Sequence, residues 1–388
     1  MLGSPEFGVA ALALVLGLSP YGYLWIADGP AAWGRVDGLA DLIAMITRHD
    51  YGTTSLMTGG VAVAWTASVG ALIATLARTW LWLPGLAGLA MLVVQIVRTV
   101  RIAPPAGEPR AGWIALAASF ALAGPLLIVR FNIDPHGVGR DICERFHLLP
   151  SLLLAPAVAA ALDRVRVTRE RAAIALCAPG FAALVVIDLP RLAAQHSPAV
   201  ELGVRNTLRA LPPFAIAVVT GDDQCFGARY LQLVRGERPD AAVICEGLIA
   251  LPAYRAQWSA RGLALPASTG PRLAHALLAT GRPVLIDPTL PRITAAFPHY
   301  PLGVLDRVLP PGAALPAAAD VLALNRDRYR DFALDYAFPG RDDGYATIAH
   351  HRYAASWAAI ARYLDRAGDR DGAREAFAVT TQLQPRPD

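Results

Sequence analysis

The sequence predicts a polytopic α-helical membrane domain, then a soluble α/β domain, and at its C-terminal end a tetratricopeptide-like helix pair. Three observations lead there. From about Gly8 to Asp188 the chain is a series of apolar runs separated by short arginine-bearing segments, several of them near the roughly 20 residues that cross a bilayer. Beyond Leu189 no run is that long, and short β-rich stretches alternate with amphipathic ones. Near the end, Trp357, Ile360, Ala361, Leu364, Ala373, Phe377 and Pro385 fall at the offsets of one tetratricopeptide-type unit, with Gly368 in the turn. The domains expected are 1–189, 190–320 and 321–388, with the helix pair at 354–388.

Composition agrees. Hydrophobic residues make up 55% of the chain and charged residues only 17%, against about 25% in an average soluble domain. All basic side chains are arginine, and they gather in segments beside apolar runs rather than on a basic face interleaved with aromatics. Nucleic acid is therefore not an expected partner. None of Cys143, Cys177, Cys225 and Cys245 forms a C-x-x-C pair, which argues against zinc and thioredoxin-type chemistry. Cys225 and Cys245 are either a disulfide pair in an oxidising compartment or two buried small thiols.

The elements run in order along the chain. A first span covers Gly8 to Ile26. Within the polar stretch Asp28 to Thr54, Leu39, Leu42, Ile43 and Ile46 recur at helical spacing, as in a short amphipathic helix on a membrane surface. Apolar runs then occupy Thr58–Leu76, Trp80–Val97, Trp113–Val129, Leu148–Leu162 and Ala172–Ile187, with Trp80 and Trp82 placed as interfacial anchors. Arg164, Arg166, Arg169 and Arg171 mark one cytoplasmic loop, and Arg98, Arg101 and Arg110 another. Arg130 to His147 is then an outer loop, and the C-terminal part is extracytoplasmic. Thr58–Leu76, rich in small residues, is expected to be interfacial or re-entrant, leaving about five crossings. In the second half, helices are expected at Val200–Leu211 and Asp223–Arg235. Strands are expected at Phe214–Thr220, Ala241–Cys245, Pro283–Ile286 and Gly303–Val308, parallel as in a layered α/β fold. The terminal helix pair is expected to dock on this layer, since one such unit cannot bury its own apolar face.

Three clusters carry candidate chemistry. The first runs from Gly17-Leu18-Ser19-Pro20-Tyr21 through Trp33-Gly34 to His49-Asp50-Tyr51-Gly52, and the second joins Asn132-Ile133-Asp134 to Glu144-Arg145-Phe146. The third is Gly221-Asp222-Asp223 with Tyr230-Leu231-Gln232 and Arg238-Pro239-Asp240. Carboxylates at Asp28, Asp37, Asp134 and Glu144 could act as bases or hold a divalent metal, while Arg140 and Arg145 offer forks for a lipid-linked phosphate. Each also has a plainer account as a turn cap, a snorkelling side chain or a loop ion pair. Asp222 and Asp223 are expected to cap a helix, His49 to make an interfacial hydrogen bond, and His350-His351 to lie on the surface.

In this order the clusters resemble the domain-of-unknown-function 2723 family, membrane proteins related to GT-C glycosyltransferases with a protein O-mannosyltransferase branch. The resemblance rests on Leu18-Ser19-Pro20-Tyr21 with Tyr23-Leu24 and Ile26, Trp33-Gly34, Tyr51-Gly52, Asn132 and Asp134 with Glu144-Arg145-Phe146, and the third cluster. It extends over about Leu16 to Trp258. It implies transfer of a sugar, plausibly mannose, from a polyprenyl-phosphate donor to a protein or glycan acceptor outside the bacterial inner membrane. Asp134, Arg140, Glu144 and Arg145 would line the donor phosphate site, and Trp33, Asp37 and His49 the acceptor side. Two departures stand out. Arg35 follows Trp33-Gly34 where the family has an acidic residue, and the early loop that carries the family's catalytic acid is not seen, so the base is expected outside this chain. The competing reading is a non-catalytic, membrane-anchored extracytoplasmic binding module. A transporter is disfavoured because Trp113–Val129 and Leu148–Leu162 hold no ionisable residue.

Overall fold

A computed structural model describes residues 5–27, 36–47, 49, 63–101, 110–340 and 344–386. The chain is mostly helical with one small mixed sheet. It divides into two compact units. One holds residues 51–196 with 342–344, and the other holds residues 1–50 together with 197–341 and 345–388.

The chain opens with α1 (Pro5–Leu18), a 3-10 turn at Ser19–Trp25 and α2 (Leu39–Ile46). The expected first span is thus a 14-residue α-helix that tightens at Ser19-Pro20, where proline fixes the first turn of the 3-10 segment. The expected amphipathic helix is present as α2, with Leu42 buried and Leu39 and Ile43 outward.

The all-helical unit contains α3 (Trp65–Thr79), α4 (Leu83–Arg101), α5 (Arg110–Ala121), α6 (Leu127–Phe131) and α7 (Val138–Gln195). Its core is Leu72, Leu76, Met91, Leu92, Ile128, Leu154, Ala157 and Val158. Gly88 lets α4 approach α7, since a Cβ there would collide with Val158. Between α5 and α6 the helix passes through a π-turn at Leu122–Leu126. Pro125 lacks the N–H that a regular turn needs, and Gly124 takes up the irregular backbone (φ −99°, ψ −106°). Many large apolar side chains point outward, among them Leu83, Val93, Leu122, Leu126 and Leu152, the last at 70% exposure.

Several expectations need correction here. Among the described residues two helices are long and apolar enough to span a membrane, Ala111–Phe131 and Val138–Arg164. A third arises if the bent pair α3–α4 is counted as one, so the described residues hold two or three candidates where about five crossings are expected. The pair turns by 118° at Trp80-Leu81-Trp82, where Leu81 and Trp82 take positive φ (56° and 63°). The two tryptophans therefore sit at the bend between α3 and α4. Residues 58–62 of the expected re-entrant run lie outside the described residues. The arginine-bearing stretch 164–171 is helical backbone within the 58-residue α7, which tolerates Pro150, Pro156, Pro179 and Pro190, and no loop separates two spans there. The expected outer loop is likewise only residues 132–137, because Arg140 to His147 form the first turns of α7.

The sheet-bearing unit continues with α8 (Ala199–Ala210), β1 (Ile216–Val219), α9 (Asp222–Leu233), β2 (Ala242–Cys245), α10 (Pro252–Ala260) and α11 (Pro271–Leu278). Then come β3 (Val284–Ile286), α12 (Pro291–Thr294), β4 (His299–Leu302), β5 (Leu305–Val308), α13 (Ala318–Arg330), α14 (Tyr345–Arg366) and α15 (Arg370–Leu383). The strand order is β2-β1-β3-β5-β4. β1 pairs in parallel with β2 and β3, while β5 runs antiparallel to both β3 and β4. The expected parallel layer is therefore mixed. Strands β1, β2 and β3 are buried along their whole length, as a layer covered on both faces requires. β4 and β5 meet at Gly303-Val304. Gly303 holds φ +64°, and a Cβ on it would come within 2.6 Å of Ala210. Asn325, fully buried, accepts from the Gly303 N–H (2.8 Å) and donates to the Pro301 (2.9 Å) and Val321 (2.8 Å) carbonyls, which ties α13 to this hairpin.

The helix pair α14–α15 turns at Gly368 (φ +86°), and the Asp369 side chain caps α15 through the Gly372 N–H (2.9 Å). Trp357, Ile360, Leu364 and Ala376 belong to the same core cluster as β1 and β3, so the pair is docked onto the sheet layer. Phe377, expected among the packed residues, is 63% exposed.

Candidate functional site

The polar recess of the helical unit is built where α3 meets the start of α7. On α7, Arg140, Cys143, Glu144 and His147 are spaced i, i+3, i+4 and i+7, which puts them on one face. On α3, Thr75 and Arg78 face them, and all six line a recess of about 200 Å³ that Trp82 borders. Gly139 makes the tight entry into α7 possible, since a Cβ there would strike the Asp134 carbonyl.

Arg78 donates to Glu144 through Nη2 (3.1 Å), with the two side chains 31% and 21% exposed. His147 is 1% exposed, and its Nδ1 lies 2.9 Å from the Thr75 hydroxyl. Its Nε2 is buried without a hydrogen-bond partner among the described residues. Thr75 can serve as donor or acceptor, so the ring presents either a lone pair or an N–H at Nε2. A buried polar atom left unmade costs about 1–3 kcal/mol, a cost that a ligand atom would remove. The recess thus combines two guanidinium groups, one carboxylate and one imidazole within walls of small apolar residues such as Ala71 and Ala74. Its two guanidinium groups outnumber the one carboxylate that lines it, and Arg forks match phosphate oxygens.

Of the residues expected at the site, Arg140 and Glu144 are brought together here. Asp134 is exposed and lies 2.6 Å from His136 Nδ1, outside the recess. Arg145 is one residue out of phase on α7 and exposed, so it does not line the recess. Asp37 and His49 are exposed and belong to the other compact unit, and Trp33 lies outside the described residues. Sequence reasoning missed Arg78, His147 and Thr75. His147 was within reach, since it extends the Arg140–Glu144 helical face by one turn, whereas Arg78 is 66 positions from Glu144. No group of three or more His, Cys, Asp or Glu able to hold a metal occurs among the described residues.

The third cluster has structural work. The Arg238 guanidinium donates to the Leu208 (2.7 Å), Leu211 (2.8 Å) and Pro212 (2.9 Å) carbonyls at the end of α8 and also binds Asp240 (2.8 Å). Asp240 in turn accepts from the Phe214 N–H (2.8 Å), and Arg238 beside it holds its carboxyl far below the usual range. Gln232 donates to the Arg238 (2.9 Å) and Ala241 (2.8 Å) carbonyls. Asp222 and Asp223 do not cap α9, because Gly221 occupies the N-cap position with φ +82° and no side chain caps it. Asp223, whose side chain is 4% exposed, instead pairs with Arg352 of α14. His350 is also corrected. It is fully buried, with Nε2 2.8 Å from the Tyr336 hydroxyl and Nδ1 3.0 Å from the Leu383 carbonyl. Cys225 and Cys245 are free buried thiols.

No protein-family model, no curated protein and no solved structure matches the chain.

Proposed function

We propose that the chain is a membrane glycosyltransferase-like protein whose helical unit takes the phosphate of a polyprenyl-phosphate sugar donor. The observation that carries this reading is the recess itself. Ionisable residues set into an apolar helical bundle are costly, and where they occur they mark a substrate or ion site. Arg78 and Arg140 supply positive charge where a departing phosphate gathers negative charge, and Glu144 holds Arg78 in place. His147 Nε2 is the atom with unused hydrogen-bonding capacity. The outward apolar side chains and the helices Ala111–Phe131 and Val138–Arg164 favour a lipid surround, in which a long apolar donor tail lies against the same helices.

Within this reading the base that takes the acceptor's proton is not one of the recess residues, and mannose and the bacterial inner membrane come from the motif resemblance alone. The test is transfer of labelled mannose from polyprenyl-phosphate mannose in membranes containing the full chain. Arg140→Ala and His147→Phe should each lower transfer at least tenfold, with donor binding weakened in proportion, while Arg145→Ala leaves both unchanged. Undiminished donor binding in both recess variants would remove the recess from the reaction.

A further inference from the structure

The sheet-bearing unit has a cleft of about 840 Å³, separate from the helical recess and within the size range of small-molecule sites. One wall is the β4–β5 hairpin, which contributes His299 and Asp306. The other is α14, with Arg362, Tyr363 and Arg366, and Leu315 and Pro316 close one end.

The charges across this cleft do not close on one another. Arg362 and Arg366 lie one turn apart on the same helical face, and neither guanidinium forms an ion pair among the described residues. Arg366 Nε reaches only the Arg362 carbonyl (3.1 Å), which leaves its terminal nitrogens available. Some arginines of the unit pair with carboxylates, as Arg205 with Glu237, Arg238 with Asp240 and Arg352 with Asp223, and others, such as Arg282 and Arg307, spend their guanidinium groups on backbone carbonyls. Asp306 lies within electrostatic reach of Arg362 yet makes no hydrogen bond to it. Burial holds its carboxyl above the ordinary range, with Asp287 adding to the effect and His299 and Arg362 opposing it. Asp287 is already satisfied by Thr220 (2.8 Å) and Thr289 (2.6 Å) and takes no further part. His299 Nδ1 donates to the Phe297 carbonyl (2.9 Å), which leaves Nε2 for another partner.

We propose that this cleft binds a phosphate monoester of a small hydroxylated molecule, with its phosphate on Arg362 and Arg366 and its hydroxyls on Asp306 and His299. Two guanidinium groups one turn apart match a dianion, and a desolvated carboxyl opposite them suits hydroxyl groups. The volume exceeds what a bare phosphate fills. The proposal does not depend on the polyprenyl-phosphate reading.

The test uses the full chain in detergent micelles, with glucose 6-phosphate, glucose, inorganic phosphate and short-chain phosphatidylglycerol as calorimetric probes. Glucose 6-phosphate should bind tightest. Arg362→Ala and Arg366→Ala should each weaken it about tenfold. Asp306→Asn should tighten inorganic phosphate several-fold, because it removes a like charge beside the anion. Circular dichroism confirms that the variants fold, as expected for exposed arginines. Absence of saturable glucose 6-phosphate binding, or binding indifferent to the double Arg362→Ala/Arg366→Ala change, would overturn the proposal. Inorganic phosphate binding as tightly as glucose 6-phosphate would refute the hydroxyl half, and a preference for phosphatidylglycerol would assign the cleft to a lipid phosphodiester instead.

Discussion

Replacing Arg352 with Ala should unlock the sheet-bearing unit at one defined point. Arg352, on α14, binds the Asp223 carboxylate at the first turn of α9 and also donates to the Thr220 carbonyl at the end of β1 (3.3 Å). The Asp223 side chain is 4% exposed and that of Arg352 22%. Truncation therefore leaves a carboxylate almost without water and without its cation. Removing one partner of a buried pair costs about 3–5 kcal/mol, and the partial exposure of Arg352 points to the lower end, about 3 kcal/mol. At 1.4 kcal/mol per factor of ten, that is a rise of roughly a hundredfold in the opening constant. Native-state hydrogen exchange at the Val218 and Val219 amides, in the full chain in detergent, reads this directly. The double variant Asp223→Ala/Arg352→Ala should recover much of the loss, because no charge is left stranded. An exchange rate within about fivefold of wild type in Arg352→Ala alone, or a double variant worse than the single one, would refute the reasoning.

Two further outcomes concern buried titratable groups. Burial lowers the His350 pKa from its ordinary 6.5, so as pH falls the unfolded chain takes up this proton first. The stability that neutral His350 contributes is present above about pH 6.5 and is lost as pH falls through its folded value. Amides of α14 around Ile360 and Leu364 should exchange faster at pH 5.5 than at 7.5 after correction for intrinsic rates, and His350→Gln should flatten that difference. In the thiol pair, the neighbouring Cys225, and after it the Tyr254 hydroxyl and Arg229, favour the Cys245 thiolate against its burial, while Cys225 is pushed up by Cys245 and by burial. Methyl methanethiosulfonate should therefore modify Cys245 first by peptide mass mapping, and initial labelling of Cys225 would show the polarity to be reversed.

Continuous apolar runs made β1, β2 and β3 legible in the sequence, because a strand buried on both faces has no polar positions to blur it. β4 was not legible. His299-Tyr300-Pro301-Leu302 carries a proline and only partial burial, and its pairing with β5 depends on the tight turn at Gly303. The same distinction runs through the sites. Arg140 and Glu144 share one recess because they lie one turn apart on α7. Arg145, expected beside them in a loop, is carried off that face because the helix sets the phase. Arg78 was invisible, as its partnership with Glu144 exists only once α3 lies against α7. His350 was misjudged for a related reason. Its neighbours Tyr336 and Leu383 come from opposite sides in the sequence and enclose it only in the folded unit.

The bend between α3 and α4 has a bearing on topology. A rod broken through 118° is either one interrupted passage or a hairpin that returns to the side from which it set out, so the tally among the described residues is three in the first case and two in the second. Ala111–Phe131 and Val138–Arg164 follow one another along the chain, so if both cross a bilayer the helix ends at Ala111 and Arg164 face one and the same aqueous compartment.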